Sequence, residues 1–116
     1  MESREFMLIF LGVDYGEMNL SMEEIEKRAK SWMSWQQKMG EAGVLQSGNA
    51  LQTPLKRISG NERTVTDRIS VEAKEIIGGY YIIKAKDLDE ATNIAEEYPD
   101  YDLGGTVEIR ELTYYN

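Results

Sequence analysis

The chain has 116 residues, the usual size of one domain, with room for one hydrophobic core and no second. It contains no cysteine and no histidine, which excludes disulfides, thiolate nucleophiles, Cys-based zinc sites and the commonest general base near neutral pH. A net charge of −8, from 13 basic and 21 acidic side chains, repels phosphate backbones and anionic lipid, so neither nucleic acid nor a membrane is expected as a partner.

Residues 6–13 form a continuous apolar run bounded by Asp14-Tyr15-Gly16, which reads as a strand buried on both faces. The run is too short and too early for a signal peptide or a membrane span, so the chain is expected to be cytoplasmic. Ser21 followed by Glu24 fits a capping box, in which the Ser side chain accepts a backbone N–H and the Glu side chain reaches back. Met22, Ile25, Ala29, Trp32, Met33 and Met39 then recur at helical spacing, predicting a first helix that ends near Gly43 with Val44 folding back on its last turn.

A short strand over 44–51 follows, bent or bulged at Gly48. Two alternating segments, 55–59 and 62–67, flank Gly60-Asn61 and predict a β-hairpin with a two-residue turn, polar enough to project from the main sheet. Residues 76–85 hold Ile76, Ile77, Tyr80, Tyr81, Ile82 and Ile83 around Gly78-Gly79, a second strand apolar on both faces whose glycines permit close approach of another backbone or a ligand. Asp87 to Glu90 caps a second helix with Leu88, Ala91, Ile94 and Ala95 inward, and Pro99 stops it. Residues 106–112 alternate as a last strand.

The order strand–helix–strand–(hairpin)–strand–helix–strand is α+β, a ferredoxin-like βαββαβ sandwich with an inserted β-hairpin. Right-handed crossovers place both helices on one sheet face and the two doubly apolar strands in its centre. The other face then carries about six large apolar side chains that water would penalise. A second copy packed face to face is the expected cover, making a homodimer; the alternative is a monomer whose hairpin and tail fold over that face. Tyr81 or Ile83, whichever faces outward, would line that seam.

Four polar residues, Asp67, Glu72, Lys74 and Glu75, precede the third main strand. A carboxylate beside a lysine can polarise a carbonyl or move a proton when burial tunes its pKa; the plainer alternative is a surface ion-pair set. Trp32, Trp35 and Met39 suit either an apolar pocket wall or the core. Tyr80 and Tyr81 point to opposite faces, so only one can line a given cleft, and a buried hydroxyl would look to Arg110 or Glu108 for a partner. Asp14-Tyr15 offers a further cleft rim. No metal-binding pattern or cofactor motif is present, and no catalytic residue is assigned.

Trp32-Met33-x-Trp35, Gly43-Val44-Leu45-x-Ser47-Gly48-Asn49-x-Leu51, Val65-Thr66-Asp67 and Glu72-x-Lys74-Glu75-x-x-Gly78-Gly79-Tyr80 resemble the YCII-related (DGPF-domain) family. So do Asp87-Leu88-Asp89-Glu90-Ala91, Pro99 and Gly104-Gly105-Thr106-Val107-Glu108-Ile109-Arg110. The resemblance runs in register along nearly all of residues 1–116. It implies one YCII-related domain that pairs as a dimeric α+β-barrel. The family's Asp-Gly-Pro-Phe tetrad stands here as Asp67-Arg68-Ile69-Ser70, which keeps the acid and loses the turn and the aromatic. Some relatives in the broader family resemble small-molecule enzymes that use a His–Asp pair, which a chain without histidine does not share.

The functional expectation is a small-molecule-binding or enzyme-like cytoplasmic protein. Its cleft would lie near the hairpin base and the dimer seam, bordered by Asp67, Glu72, Lys74, Glu75, Trp32 and Tyr80. The alternative is a non-catalytic protein-interaction or regulatory module that uses the polar hairpin.

Overall fold

A computed structural model describes residues 4–68 and 71–115. Strands β1 (Arg4–Leu11), β2 (Leu45–Ala50), β5 (Ile77–Ala85) and β6 (Thr106–Glu111) form one antiparallel sheet in the order β2-β5-β1-β6. Helices α1 (Met22–Glu41) and α2 (Leu88–Ala95) pack on a single face of it. The two doubly apolar runs are the central strands, as expected, and the arrangement is consistent with a ferredoxin-like α+β fold. Strands β3 (Lys56–Ser59) and β4 (Thr64–Asp67) make a separate two-stranded sheet. Among the described residues, no helix is long and apolar enough to cross a membrane.

Local chemistry explains the helix ends. The Ser21 hydroxyl accepts the Glu24 N–H at 3.0 Å, but the Glu24 carboxylate does not complete the expected box; it turns forward to Arg28 at 2.8 Å. At the other end, Val44 N–H donates to the Met39 carbonyl and Gly43 N–H to that of Gly40, with Gly43 at φ +72°. This is a Schellman closure. Asp87 caps α2 by accepting the Glu90 N–H at 2.9 Å.

Alternation along the central strands separates two surfaces. Phe6, Leu8, Phe10, Tyr81, Ile83 and Ala85 are buried beneath the helices with Trp35, Met39, Ala91 and Ala95. Met7 opposes Ile82 and Ile9 opposes Tyr80 on the other face, where all four are only half-buried. Tyr81 and Ile83 therefore both belong to the helix-covered core, and neither can line an outward seam. Tyr80 and Ile82 hold that position instead.

Helix α1 is rotated from the expected phase. Met22 and Met33 are 77% and 66% exposed, whereas Arg28, Trp35 and Met39 are buried. Positions 28, 32, 35 and 39 form the inward stripe, and a charged residue occupies one of its steps. Leu88, expected inward, is half-exposed in the first turn of α2. The irregularity in β2 falls between Leu45 and Ser47 and not at Gly48. Gly48 is required for a different reason, because a Cβ there would strike the Tyr81 ring and come within 2.6 Å of the Tyr80 carbonyl oxygen. The missing side chain makes the slot that seats Tyr81.

Residues 60–63 make the β3–β4 turn, with Gly60 at φ +75° and Arg63 at φ +55°. The loop is therefore longer than the two-residue turn expected around Gly60-Asn61. Ile58 and Val65 pair across the strands and stay 66% and 58% exposed. The radius of gyration, 15.9 Å, exceeds the roughly 13 Å of a compact domain of this length, as a projecting hairpin requires.

Candidate functional site

A cavity of about 510 Å³ lies between α1 and the adjoining ends of β1, β2 and β5. Phe10, Trp32, Tyr81 and Tyr98 wall it, and Met33, Leu51, Ile76 and Ile77 add aliphatic surface. The rings support one another: Phe10 meets Trp32 and Tyr81 edge-on at 5.2 and 5.1 Å between centroids and stacks on Tyr98 at 5.3 Å. Each such pair contributes about 0.5–1.5 kcal/mol beyond area burial, so the rings brace one another in the wall.

Polar groups converge at one end. Asp100, 3% exposed, follows Pro99 at the start of a 3₁₀ turn (Tyr101–Leu103). Its Oδ2 accepts from the Tyr15 hydroxyl at 2.7 Å and from the Trp32 indole N–H at 3.2 Å. The same indole N–H also lies 3.2 Å from the Tyr15 oxygen. Oδ1 of Asp100 accepts from Arg28 at 3.1 Å, while Arg28 forks onto Asp102 at 2.9 and 2.7 Å and meets Glu24. Bidentate geometry of this kind fixes orientation as well as charge. Helix α1 and the α2–β6 connection are thereby joined at the floor of the cavity. On another wall, the Gln36 amide donates to the Tyr81 hydroxyl at 2.5 Å, the partner that Arg110 and Glu108 do not supply. Those two share the open face with Tyr80.

These contacts set the protonation states. Burial, followed by the bond to Asp100, pushes the Tyr15 phenol well above its ordinary pKa. Burial, then the Asp100 charge, does the same to Tyr98. Burial raises Tyr81 against a smaller opposing contribution from Gln36. All three are neutral phenols at physiological pH, able to donate or accept a hydrogen bond but not to act as phenolate bases. The Arg28 guanidinium holds the Asp102 carboxyl below the usual carboxylate range. Asp102, Asp100 and Glu24 all direct oxygens at that one guanidinium, and among the described residues no three ligand-type side chains gather as a metal site.

Of the residues singled out from sequence, Trp32 lines this cavity, as do Asp14 and Tyr15. Tyr80 lies on the opposite sheet face. Glu72, Lys74 and Glu75 surround an exposed 3₁₀ turn (Ala73–Glu75) just ahead of Ile76, where the cavity wall begins, and Lys74 pairs loosely with Glu72 at 3.6 Å. Asp67 ends β4 opposite Lys56. Glu72, Lys74 and Glu75 thus stand next to the cavity without lining it. Arg68, in place of the tetrad's glycine, bonds Glu17 at 2.9 Å and lies 3.7 Å from Asp14; Ile69 and Ser70 lie outside the described residues. Arg28, Gln36, Tyr98, Asp100 and Asp102 carried no sequence expectation. Their available signals were the Glu24/Arg28 spacing of four and the dense Tyr-Pro-Asp-Tyr-Asp run at 98–102.

The YCII-related domain model matches residues 7–116. The chain belongs to the YCII-related family. The motifs quoted above run through the α1, β2, β5 and β6 segments of this YCII-related domain, and the apolar cavity falls among the first three of them. Comparison with curated proteins gives no match.

Proposed function

We propose that this YCII-related domain binds a small, mostly apolar molecule in the cavity between α1 and the central strands. It would do so as a cytoplasmic homodimer whose seam is the open sheet face. The observation that carries the reading is the cavity itself: about 510 Å³, within the usual range of ligand sites, with aromatic walls and few polar groups. Tyr15, Gln36, Tyr81 and Asp100 supply the orienting contacts. Binding is favoured over catalysis because the cavity's phenols are held neutral and its buried carboxylate, Asp100, is tied to Arg28.

Ala29 lines the cavity from the exposed side of α1, so Ala29→Trp fills the space without disturbing the core. In a thermal-shift screen of small metabolites, a ligand at a hundred times its Kd stabilises by about 2.7 kcal/mol. At least one compound is expected to raise the melting point of the wild type and not that of Ala29→Trp. Equal shifts in both proteins would place binding elsewhere.

A second reading, a non-catalytic interaction or regulatory module, is favoured by one feature. The freestanding hairpin holds Ile58 and Val65 side by side in solvent, and an isolated two-stranded sheet is marginally stable unless it packs on something. A screen without any responding compound would favour this reading.

A further inference from the structure

The charges around the cavity are unequal. Among the described residues no lysine or arginine lines it, while Asp14 and Asp100 do. Each carboxylate belongs to a cluster in which one arginine is outnumbered. Arg28 faces Glu24, Asp100 and Asp102; Arg68 faces Asp14 and Glu17. Lys27 adds one more positive charge near Asp102, so each cluster keeps one net formal negative charge beside the cavity, within a chain whose net charge is −8. Low-dielectric walls focus such a field into a cleft.

The two carboxylates are not equivalent. Asp100 is buried and accepts from Arg28, Tyr15 and Trp32. Asp14 is more open: Oδ1 accepts the Gly16 N–H at 3.0 Å, and Oδ2 has Arg68 only at 3.7 Å, beyond a hydrogen bond. The aromatic surfaces of Trp32 and Tyr81 line the same space, and ring faces attract cations.

From the aromatic cavity and this charge imbalance together, we infer that the ligand class is an organic cation, an apolar body carrying an ammonium group. The apolar part lies against Trp32, Phe10 and Tyr81, and the ammonium group points toward Asp14. An anion of the same shape meets two carboxylates and no lining base. This inference rests on the small-molecule reading of the cavity and adds the sign of the ligand's charge.

The test uses three probes of similar shape: phenethylammonium, phenethyl alcohol and hydrocinnamate, titrated into the full chain at neutral pH by calorimetry and thermal shift. Phenethylammonium is expected to bind about tenfold more tightly than the alcohol, with an advantage that shrinks as salt rises. Hydrocinnamate is expected to bind more weakly than either. Asp14→Asn keeps a side-chain oxygen for the Gly16 N–H and removes the charge. It should lower the ratio of ammonium to alcohol affinity about fivefold, while Glu23→Gln on the outer face of α1 leaves that ratio alone. An alcohol that binds as well as the ammonium, or a carboxylate that binds better, would overturn the charge assignment and leave the small-molecule reading standing. Failure of all three probes to bind, with Ala29→Trp behaving as wild type toward every compound screened, would remove the small-molecule reading and this inference with it.

Discussion

Replacing Arg28 with methionine is expected to lower the melting temperature by about 10–20 °C. Arg28 and Asp100 are 8% and 3% exposed, so water cannot take over the hydrogen bonds that the guanidinium supplies. Removing one partner of a buried pair costs about 3–5 kcal/mol, because the remaining charge is stranded in a poorly solvating site. Asp102 and Glu24 lose a partner as well, but both are more exposed, and their share is small. The loss should also reach the cavity, since Asp100 holds Tyr15 and Trp32 through its other oxygen. Chemical denaturation with tryptophan fluorescence would report both effects. Adding Asp100→Asn to Arg28→Met should recover much of the stability by removing the stranded charge. A loss of less than about 1 kcal/mol in the single variant would mean that the cluster is solvated and structurally minor.

The second large effect concerns assembly. Met7, Ile9, Tyr80 and Ile82 form a half-buried apolar centre on the open sheet face, flanked in register by Glu108 and Arg110. An apolar centre with a polar rim is the usual anatomy of a protein interface. The wild type is therefore expected to scatter light as twice its 13.3 kDa chain mass. Ile82→Asp would place a carboxylate opposite Met7 in the middle of the seam. Desolvating that charge without a partner costs several kcal/mol, enough to weaken pairing at least a hundredfold. The variant is expected at the single-chain mass, while Ile58→Asp on the hairpin keeps the wild-type mass. A wild type that is monomeric at micromolar concentration, or an Ile82→Asp variant that remains paired, would contradict the proposed seam.

Topology was legible in the sequence because it depends on features that hydropathy and capping chemistry express locally. Two runs apolar on both faces had to be central, and Ser21 and Asp87 marked where helices begin. The helix phase was less legible. Met22 and Met33 are hydrophobic and lie on a helical stripe, but the position that is actually buried holds Arg28, whose charge is met by groups more than 70 residues away. Hydropathy cannot register a buried cation before its partners are known. The same reason hid the site. Tyr15 and Asp100 are 85 positions apart, and Gln36 and Tyr81 are 45 apart; only the folded sheet brings them together. Asp67, Glu72, Lys74 and Glu75 are close along the chain, but Asp67 ends β4 while Glu72, Lys74 and Glu75 sit on an exposed turn that spreads their side chains. Trp32 stands out in the sequence and in the fold alike, because one large aromatic residue serves as wall and hydrogen-bond donor together.

The location of the site is tested most directly by amide and indole NMR spectra recorded while a thermally stabilising compound is titrated in. Binding in the α1 cavity should move the Trp32 indole N–H and the Gly78 and Gly79 amides most, with Glu72 and Lys74 nearly still. Shifts concentrated at residues 72–75 or along the hairpin, with the Trp32 indole unmoved, would show that the ligand binds outside the aromatic cavity.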